Sequence, residues 1–149
     1  MAAGTEMIPA AAGAYALLVR LHRPLKPQIP ALGTCILGPG AYVYCGSAYG
    51  RGGLRARVAR HLRSGKPAHW HVDRLTEAGR IKGVGVRVGG CECDLIDVLT
   101  VHGATVPIPG FGSSDCRRCP AHLLAVPDGF DDVALDAIVG LGRAAALPL

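Results

Sequence analysis

A tyrosine-bearing strand, a glycine-rich turn and a basic helix follow one another in residues 40–63, GAYVYCGSAYGRGGLRARVARHLR. Arg57 and His61 lie four positions apart, so both project from one face of the helix. An arginine can bind two phosphate oxygens at once, and a histidine can shuttle a proton near neutral pH. The spacing therefore predicts a site that holds a phosphate backbone and carries groups able to cut it.

Two strand tyrosines, Tyr15 and Tyr44, are candidates for the base of such a reaction. Phosphodiester hydrolysis needs a base that activates the nucleophile, a positive clamp for the transition state and usually a divalent metal with oxygen ligands. A tyrosine that projects into a basic pocket should have its phenolate form favoured, so either residue could supply or relay the base. The alternative is that both are core residues with hydrogen-bonded hydroxyls.

The basic residues are concentrated in the first half of the chain. Residues 1–71 carry nine Lys and Arg against a single acid, a net charge of +8, whereas residues 72–149 carry seven bases and ten acids, a net charge of −3. A basic half suits nucleic acid, an acidic protein or membrane headgroups. The candidate substrate-binding residues are Arg51, Arg55, Arg60, Arg63, Lys66, His69, His71, Ser113 and Ser114.

The cysteines offer a second kind of chemistry. Cys116-x-x-Cys119-x-x-His122 has the ligand types of half a structural zinc site, and Cys93 could complete a tetrahedral set. However, the spacing fits no standard zinc finger, and free cysteines are among the most buried residue types. Zinc binding, redox chemistry and plain burial of reduced thiols therefore all stay open.

Length and composition are those of one folded domain. The chain has 149 residues, of which 50% are hydrophobic and 18% charged, so it can bury a sizeable core. No run approaches the roughly 18 apolar residues that span a bilayer, and no basic leader precedes an apolar stretch. We expect a soluble cytoplasmic protein with no membrane partner. The expected organisation is a loosely held tail at 1–12, a single domain at 13–142 and a tail at 143–149.

Hydrophobic periodicity and turn residues predict the elements that position these groups. The expected strands cover residues 13–21, 41–45 and 81–88, with a last edge strand at 122–126 and a short strand piece at 34–37. The proline-rich stretch 22–33 predicts an exposed connection. The expected helices cover residues 54–62, 68–79 and 91–102, with a last one capped by Asp131 or Asp132 and ending at Leu141. The fold class is α/β (α+β), with a small, mainly antiparallel sheet of about three strands flanked by helices.

Several motifs together resemble the GIY-YIG nuclease superfamily: Gly13-Ala14-Tyr15, Tyr44-Cys45-Gly46, the helix with Arg57 and His61, and Glu92-x-x-Leu95-Ile96. Other motifs look like one branch of it, the domain of unknown function 123 family. These are YVYCGSAYGRGGL, RHLR, HWHVDRL, the Glu-Cys pair before a leucine-bearing helix, and GFGSSDCRRCPAHL. The resemblance covers most of the chain, from about residue 13 to 123.

The resemblance implies a metal-dependent DNA endonuclease, with RNA still open as a substrate. It makes Tyr44 the first choice for the base and Tyr15 the second, with Arg57 and His61 stabilising the phosphate. It also implies that Glu92 binds Mg²⁺ or Mn²⁺, since one carboxylate with waters and a substrate phosphate can hold such an ion. Without the resemblance, Glu92 is an acid that stabilises a helix dipole.

Two other functions fit the same residues. The first is a nucleic-acid-binding module of the same fold that does not cleave. The second is a protein-interaction domain stapled by its Cys and His residues, whose basic charge is incidental. Binding that weakens steeply with salt separates the nucleic-acid functions from the protein-interaction function.

Overall fold

Four antiparallel strands form one sheet at the centre of the fold. The computed structural model describes residues 7–66, 70–112, 116 and 118–146, with the backbone alone from residue 140 onward. The strands are β1 (Gly13–Leu21), β2 (Gly40–Ala48), β3 (Arg80–Val88) and β4 (Leu123–Val126), in the order β3-β1-β2-β4. The predicted antiparallel sheet is confirmed, with four strands where about three were expected.

Helices flank this sheet, which confirms the predicted α+β class. They are α1 (Gly53–Leu62), α2 (His71–Ala78), α3 (Glu92–Val101) and α4 (Asp132–Ala146), and a short 3-10 helix covers Pro30–Leu32. Asp131 accepts a hydrogen bond from the amide of Ala134 and so caps α4. This helix runs five residues past the predicted end at Leu141, so residues 143–146 are helical where a tail was expected. No helix in the described part of the chain has both the length and the apolar character needed to cross a membrane.

The helices cover both faces of the sheet and enclose the central strand. One core packs a face of β1 and β2 against α1 and α2, and the other core packs the opposite face against α3 and α4. Successive side chains of β1 alternate between these cores: the first core takes Tyr15, Leu17 and Val19, and the second takes Ala14, Ala16 and Leu18. Because β1 is buried on both faces, its sequence is almost continuously apolar.

The proline-rich connection between β1 and β2 is more ordered than the sequence suggested. Leu25 and Leu37 exchange two backbone hydrogen bonds of 2.8 Å, and Ile29 and Leu37 are buried in the first core. The expected strand piece at 34–37 is reduced to this isolated bridge. Most residues of the connection are exposed, as expected, but Ile29 is buried in the first core and Leu25 and Leu32 pack against it.

The segment before β1 is also held in place. The first turn of α1 has no side-chain cap, and the amides of Leu54 and Arg55 donate instead to the carbonyls of Ala11, at 2.9 Å, and Pro9, at 3.1 Å. The Arg55 side chain also donates to the Ile8 carbonyl, at 2.7 Å. These contacts attach residues 8–11 to α1, where the sequence predicted a loosely held tail, because the free amides of a helix start need acceptors. Residues 1–6 lie outside the described part of the chain.

A buried ion pair joins α1 to α2. Asp73 is fully buried and accepts two hydrogen bonds from the Arg60 guanidinium, at 2.9 and 3.1 Å. The same carboxylate accepts from the amide of Trp70, the residue that precedes α2. The Asp73 carboxylate therefore caps the N-terminus of α2 and also attaches α2 to α1.

We expect the change Asp73→Ala to lower the free energy of unfolding by about 3 kcal/mol, because it leaves the Arg60 charge without its carboxylate and removes the start of α2. Denaturant unfolding measures this loss. The matched control is Asp128→Ala, which removes an exposed Arg20–Asp128 pair of 3.2 Å and should cost less than about 1 kcal/mol. Equal losses of unfolding free energy in the two variants would show that the buried ion pair contributes no more to stability than the exposed one.

Candidate functional site

One cavity of about 460 Å³ collects most of the side chains that the sequence marks for chemistry. Strands β1 and β2, helix α1, the starts of α2 and α3, and the loop before β4 form its walls. The described residues that line it are Tyr15, Tyr44, Ser47, Arg57, Trp70, His71, Glu92, Gly112, Cys116 and His122. Four of the five predicted catalytic residues are among them, and His61 is not.

The two tyrosines lie side by side on one face of the sheet. Tyr15 is opposite Gly46 in the β1–β2 register, Tyr44 is opposite Leu17, and the two ring centroids are 6.3 Å apart. Burial raises the pKa of both tyrosines well above its usual range, and the nearby positive charge of Arg57 does not offset this effect. The expectation that the phenolate is favoured is therefore wrong, because desolvation outweighs the charge, and both hydroxyls are protonated at neutral pH.

Two glycines make the space that these rings occupy. A Cβ atom on Gly46 would lie 2.5 Å from the Tyr15 hydroxyl. Gly112 has a φ of +75°, in the left-handed region, and a Cβ atom there would lie 2.8 Å from Cε1 of Tyr44. A side chain at either position would push a tyrosine ring out of the cavity wall.

His61 lies behind Tyr15, away from the cavity. The Tyr15 hydroxyl oxygen and Nε2 of His61 are 2.7 Å apart, and His61 is only 2% exposed. Desolvation lowers the pKa of His61 to about 4; Asp73 opposes this shift, and Arg60 adds to it. His61 is therefore neutral at pH 7. Burial keeps the ring from solvent and disfavours its charged form, which argues against direct contact with a phosphate and against a proton shuttle near neutral pH.

Arg57 is held in a fixed position at the cavity wall. Its Nη1 donates to the carbonyl oxygen of Ser47, at 2.9 Å, and its guanidinium carbon is 4.6 Å from the centroid of the Trp70 ring. Cation–π contact and the hydrogen bond together restrict the side chain without neutralising its charge. Arg57 therefore presents a positive charge to the cavity.

Other basic residues serve the fold. Lys66 is buried, and its ammonium donates to Glu77, at 2.8 Å, and to the carbonyls of His61 and Arg63. The Arg60–Asp73 pair and the Arg55–Ile8 bond likewise direct these arginines to protein partners, and none of the three residues lines the cavity. Their role in substrate binding stays a prediction. Arg51 and Arg63 are exposed and do not line the cavity. His69, Ser113 and Ser114 lie outside the described residues.

His71 is the predicted binding residue that does reach the cavity. Its Nδ1 accepts a hydrogen bond of 2.9 Å from the amide of Gly112. Desolvation and then the charge of Arg74 lower the pKa of His71 below its usual value, so the ring is neutral at pH 7. A neutral ring that accepts at Nδ1 carries its proton on Nε2, which makes His71 a hydrogen-bond donor.

Glu92 is the first residue of α3 and lines the cavity. It is half-buried, and it is the sole carboxylate among the described residues that line the cavity. Its negative charge contributes to the raised pKa of Tyr44 and of Tyr15, after burial. Glu92 thus reaches the same space as Arg57, although 35 positions separate them in the chain.

A cluster of three cysteines and a histidine adjoins the cavity. The ligand atoms of Cys93, Cys116, Cys119 and His122 all lie within 4.8 Å of one another, so the cluster could bind a metal ion. Thiolate and imidazole ligands of this number suit zinc. Of the remaining cysteines, Cys45 is buried, Cys35 is partly exposed and Cys91 is exposed.

Sequence reasoning missed residues that act through their backbone or through lack of a side chain. The Ser47 carbonyl holds Arg57, and the Gly112 amide sets the tautomer of His71. Gly112 stands in the motif GFGSSDC, where the two glycines are the available signal for a tight turn. No pattern of residue types marks the Ser47 carbonyl.

The class that fold and cavity define is an α+β protein whose antiparallel sheet presents a buried tyrosine pair beside an arginine, a glutamate and a thiol cluster. The family model described as domain of unknown function DUF123 matches residues 14–140. Because this match covers most of the chain, the protein belongs to that family, as predicted. Neither the curated proteins nor the solved structures gave a match.

The change Gly46→Ala should displace Tyr15 and lower the free energy of unfolding by about 1 to 3 kcal/mol, as for other overpacked cores. The control Gly129→Ala adds a methyl group where no atom lies within 4 Å, and it should leave stability nearly unchanged. Thermal and denaturant unfolding compare the two. Similar stability in both variants would contradict the close approach at Gly46.

The depressed pKa of His61 makes stability depend on pH. Between about pH 6.5 and pH 4 the unfolded chain binds a proton at this histidine and the folded chain does not. The contribution of His61 to the free energy of unfolding is therefore fully present above about pH 6.5 and is lost as the pH falls. The slope from this one group is at most about 1.4 kcal/mol per pH unit. Unfolding between pH 7 and 5 should show a smaller slope for His61→Gln than for the native chain. Exposed His22 supplies the control, and an equal reduction in His22→Gln would contradict the assignment.

Proposed function

We propose that this protein is a metal-dependent endonuclease of the GIY-YIG type, which hydrolyses phosphodiester bonds of DNA. The observation that carries the proposal is that Tyr15, Tyr44, Arg57 and Glu92, from four separate elements, line one cavity. These are the residues that the resemblance marks for catalysis. A phosphate bound at Arg57 would share this cavity with two tyrosines and a carboxylate.

Binding of the scissile phosphate falls to Arg57 and His71. The Ser47 carbonyl and the Trp70 ring hold the Arg57 guanidinium in advance, so little conformational entropy is lost when it clamps a phosphate. The Nε2–H group of His71 adds a donor whose direction the Gly112 amide sets. Donors placed before the substrate arrives stabilise the developing negative charge of the transition state.

Proton transfer falls to Tyr15, with His61 behind it. When Nε2 of His61 carries no proton, the Tyr15 hydroxyl donates its hydrogen bond to this nitrogen. Tyr15 can then take a proton from the attacking water as it passes its own proton to the imidazole. The negative charge of a bound phosphate favours the imidazolium and so raises the pKa of His61. Tyr44 has no such acceptor among the described contacts, so we shift the relay from Tyr44, the first choice from the resemblance, to Tyr15.

Glu92 fits the metal that this reaction class uses. A carboxylate oxygen suits Mg²⁺ or Mn²⁺, and an ion with a single protein carboxylate completes its shell with waters and substrate phosphate. When bound, such an ion lowers the pKa of water and offsets phosphate charge. The half-buried carboxylate of Glu92 stays available to the cavity, and the thiol cluster adjoins the cavity through Cys116 and His122.

The second candidate is a nucleic-acid-binding module that does not cleave. The raised pKa of both tyrosines favours it, because neither phenol is a ready base in the free protein. Arg57 and His71 would then bind a DNA or RNA backbone without a reaction. This candidate needs the cation and the donors of the cavity but has no need of Glu92.

The test is a cleavage assay on nicked, branched, single-stranded and duplex DNA with Mg²⁺ or Mn²⁺. We expect Glu92→Gln and Arg57→Ala each to lower the cleavage rate by at least about 100-fold, the scale of losing one essential electrostatic group. The controls are Asp136→Asn, which removes one negative charge as Glu92→Gln does, and Arg80→Ala, which removes one positive charge as Arg57→Ala does. Both positions are exposed and lie outside the cavity.

Cleavage that survives both cavity substitutions would overturn the site. Salt-sensitive binding without cleavage, lost in Arg57→Ala and kept in Glu92→Gln, would favour the binding module. A protein that neither cleaves nor binds nucleic acid in a salt-dependent way would favour the protein-interaction function.

A further inference from the structure

Four soft ligand atoms converge beside the cavity, and no part of the proposed phosphodiester chemistry uses them. The Sγ atoms of Cys93 and Cys116 are 3.6 Å apart, and a ring nitrogen of His122 and the Sγ of Cys119 complete a set within 4.8 Å. Zn–S bonds of about 2.3 Å in a tetrahedron place sulfur atoms about 3.8 Å apart. The separation therefore fits one edge of a zinc tetrahedron.

A disulfide explains this spacing less well. An S–S bond is about 2.05 Å long, so the Sγ atoms of Cys93 and Cys116, 3.6 Å apart, would have to approach by more than an ångström. A disulfide would also use only two of the three cysteines, and it would not explain why the third cysteine and the histidine lie beside them. A metal ion uses all four groups at once.

The histidine gives a second, independent sign of a missing ligand. His122 is 4% exposed, and its Nε2 is buried without a hydrogen-bond partner among the described residues. A buried polar atom without a partner is costly, and native proteins rarely keep one. A cation bound at this nitrogen would give it the partner that the described residues do not supply.

We propose that Cys93, Cys116, Cys119 and His122 bind a zinc ion that ties the loop before β4 to the start of α3. The soft donor set selects zinc over Mg²⁺ or Ca²⁺. Four protein ligands leave no open position, which is typical of structural zinc sites. The amide of Cys119 already donates to Sγ of Cys116, at 3.4 Å, which supports a thiolate in this turn.

The four residues come from different parts of the fold, so a zinc ion would join those parts. Cys93 belongs to α3, whereas Cys116 and Cys119 lie in the loop that also carries Gly112 of the cavity wall. His122 is anchored separately: its amide donates to the Phe111 carbonyl and its carbonyl accepts from the Cys45 amide, both at 2.9 Å.

Apart from this cluster, an exposed ion pair joins the described part of that loop to α3. Arg118 donates to the carboxylates of Asp94, at 3.0 Å, and Asp97. Because such an exposed pair is screened by water, zinc would be the stronger link. The loop supplies Gly112, Cys116 and His122 to the cavity, so the zinc would hold that wall against Glu92.

Metal content by elemental mass spectrometry tests the proposal on the full chain, purified without chelator. We expect about one zinc per native chain and at least a tenfold lower content in Cys119→Ser and His122→Ala. The conservative variant His122→Cys keeps four soft ligands and should keep zinc. Cys91→Ser is the matched control, since Cys91 is exposed and stands two positions from Cys93.

A second measurement does not depend on whether a variant folds. Cobalt added to the metal-free native chain should give the intense absorption bands of a tetrahedral thiolate site, and zinc should remove them. Native protein without stoichiometric zinc and without these bands would overturn the proposal. So would stoichiometric iron in place of zinc, a Cys93–Cys116 disulfide in the intact mass, or equal zinc loss in Cys91→Ser. None of these results depends on nuclease activity, so the zinc site and the endonuclease function are tested independently of each other.

Discussion

The central strand β1 is the constraint on which the rest of the structure depends. It pairs with β2 from Gly13 opposite Ala48 to Leu21 opposite Gly40, pairs with β3 along its other edge, and is packed on both faces. Because a shift by one residue would move every side chain to the other core, this register is strongly determined. It sets Tyr15 opposite a glycine and beside Tyr44, and so determines which groups border the cavity.

Burial divides the basic residues of α1 and its surroundings into two roles. Asp73 and Glu77 accept from Arg60 and Lys66, and these ion pairs hold α1, α2 and the turn between them together. Arg57 instead contacts a carbonyl and an aromatic ring, neither of which neutralises it. The net charge of the first half therefore overstates the positive charge that faces the cavity, and Arg57 matters more than the count of bases.

The start of α3 lies between two different ligand chemistries. Glu92 directs an oxygen ligand to the cavity, and the next residue, Cys93, directs a sulfur ligand to the thiol cluster. Consecutive helical side chains project about 100° apart, so neighbours in sequence can serve separate sites. In our proposals a hard metal acts at the first position and a soft metal at the second. The zinc would then stabilise the cavity wall beside the Glu92 carboxylate.

Local pattern in the sequence determined the elements and the family. The apolar run of β1, the stripe of Leu54 and Val58 on α1, and the Asp131 cap are short-range features, so the α+β class followed from them. The motif set likewise predicted the DUF123 family. Tertiary structure alone decided the chemistry of the side chains. It buried His61 behind Tyr15, raised the pKa of both tyrosines and paired Arg60 with Asp73. It also brought Glu92 to the cavity and gathered three cysteines and His122 beside it. Desolvation and contacts between distant residues set these properties, and neither is encoded in residue spacing along the chain.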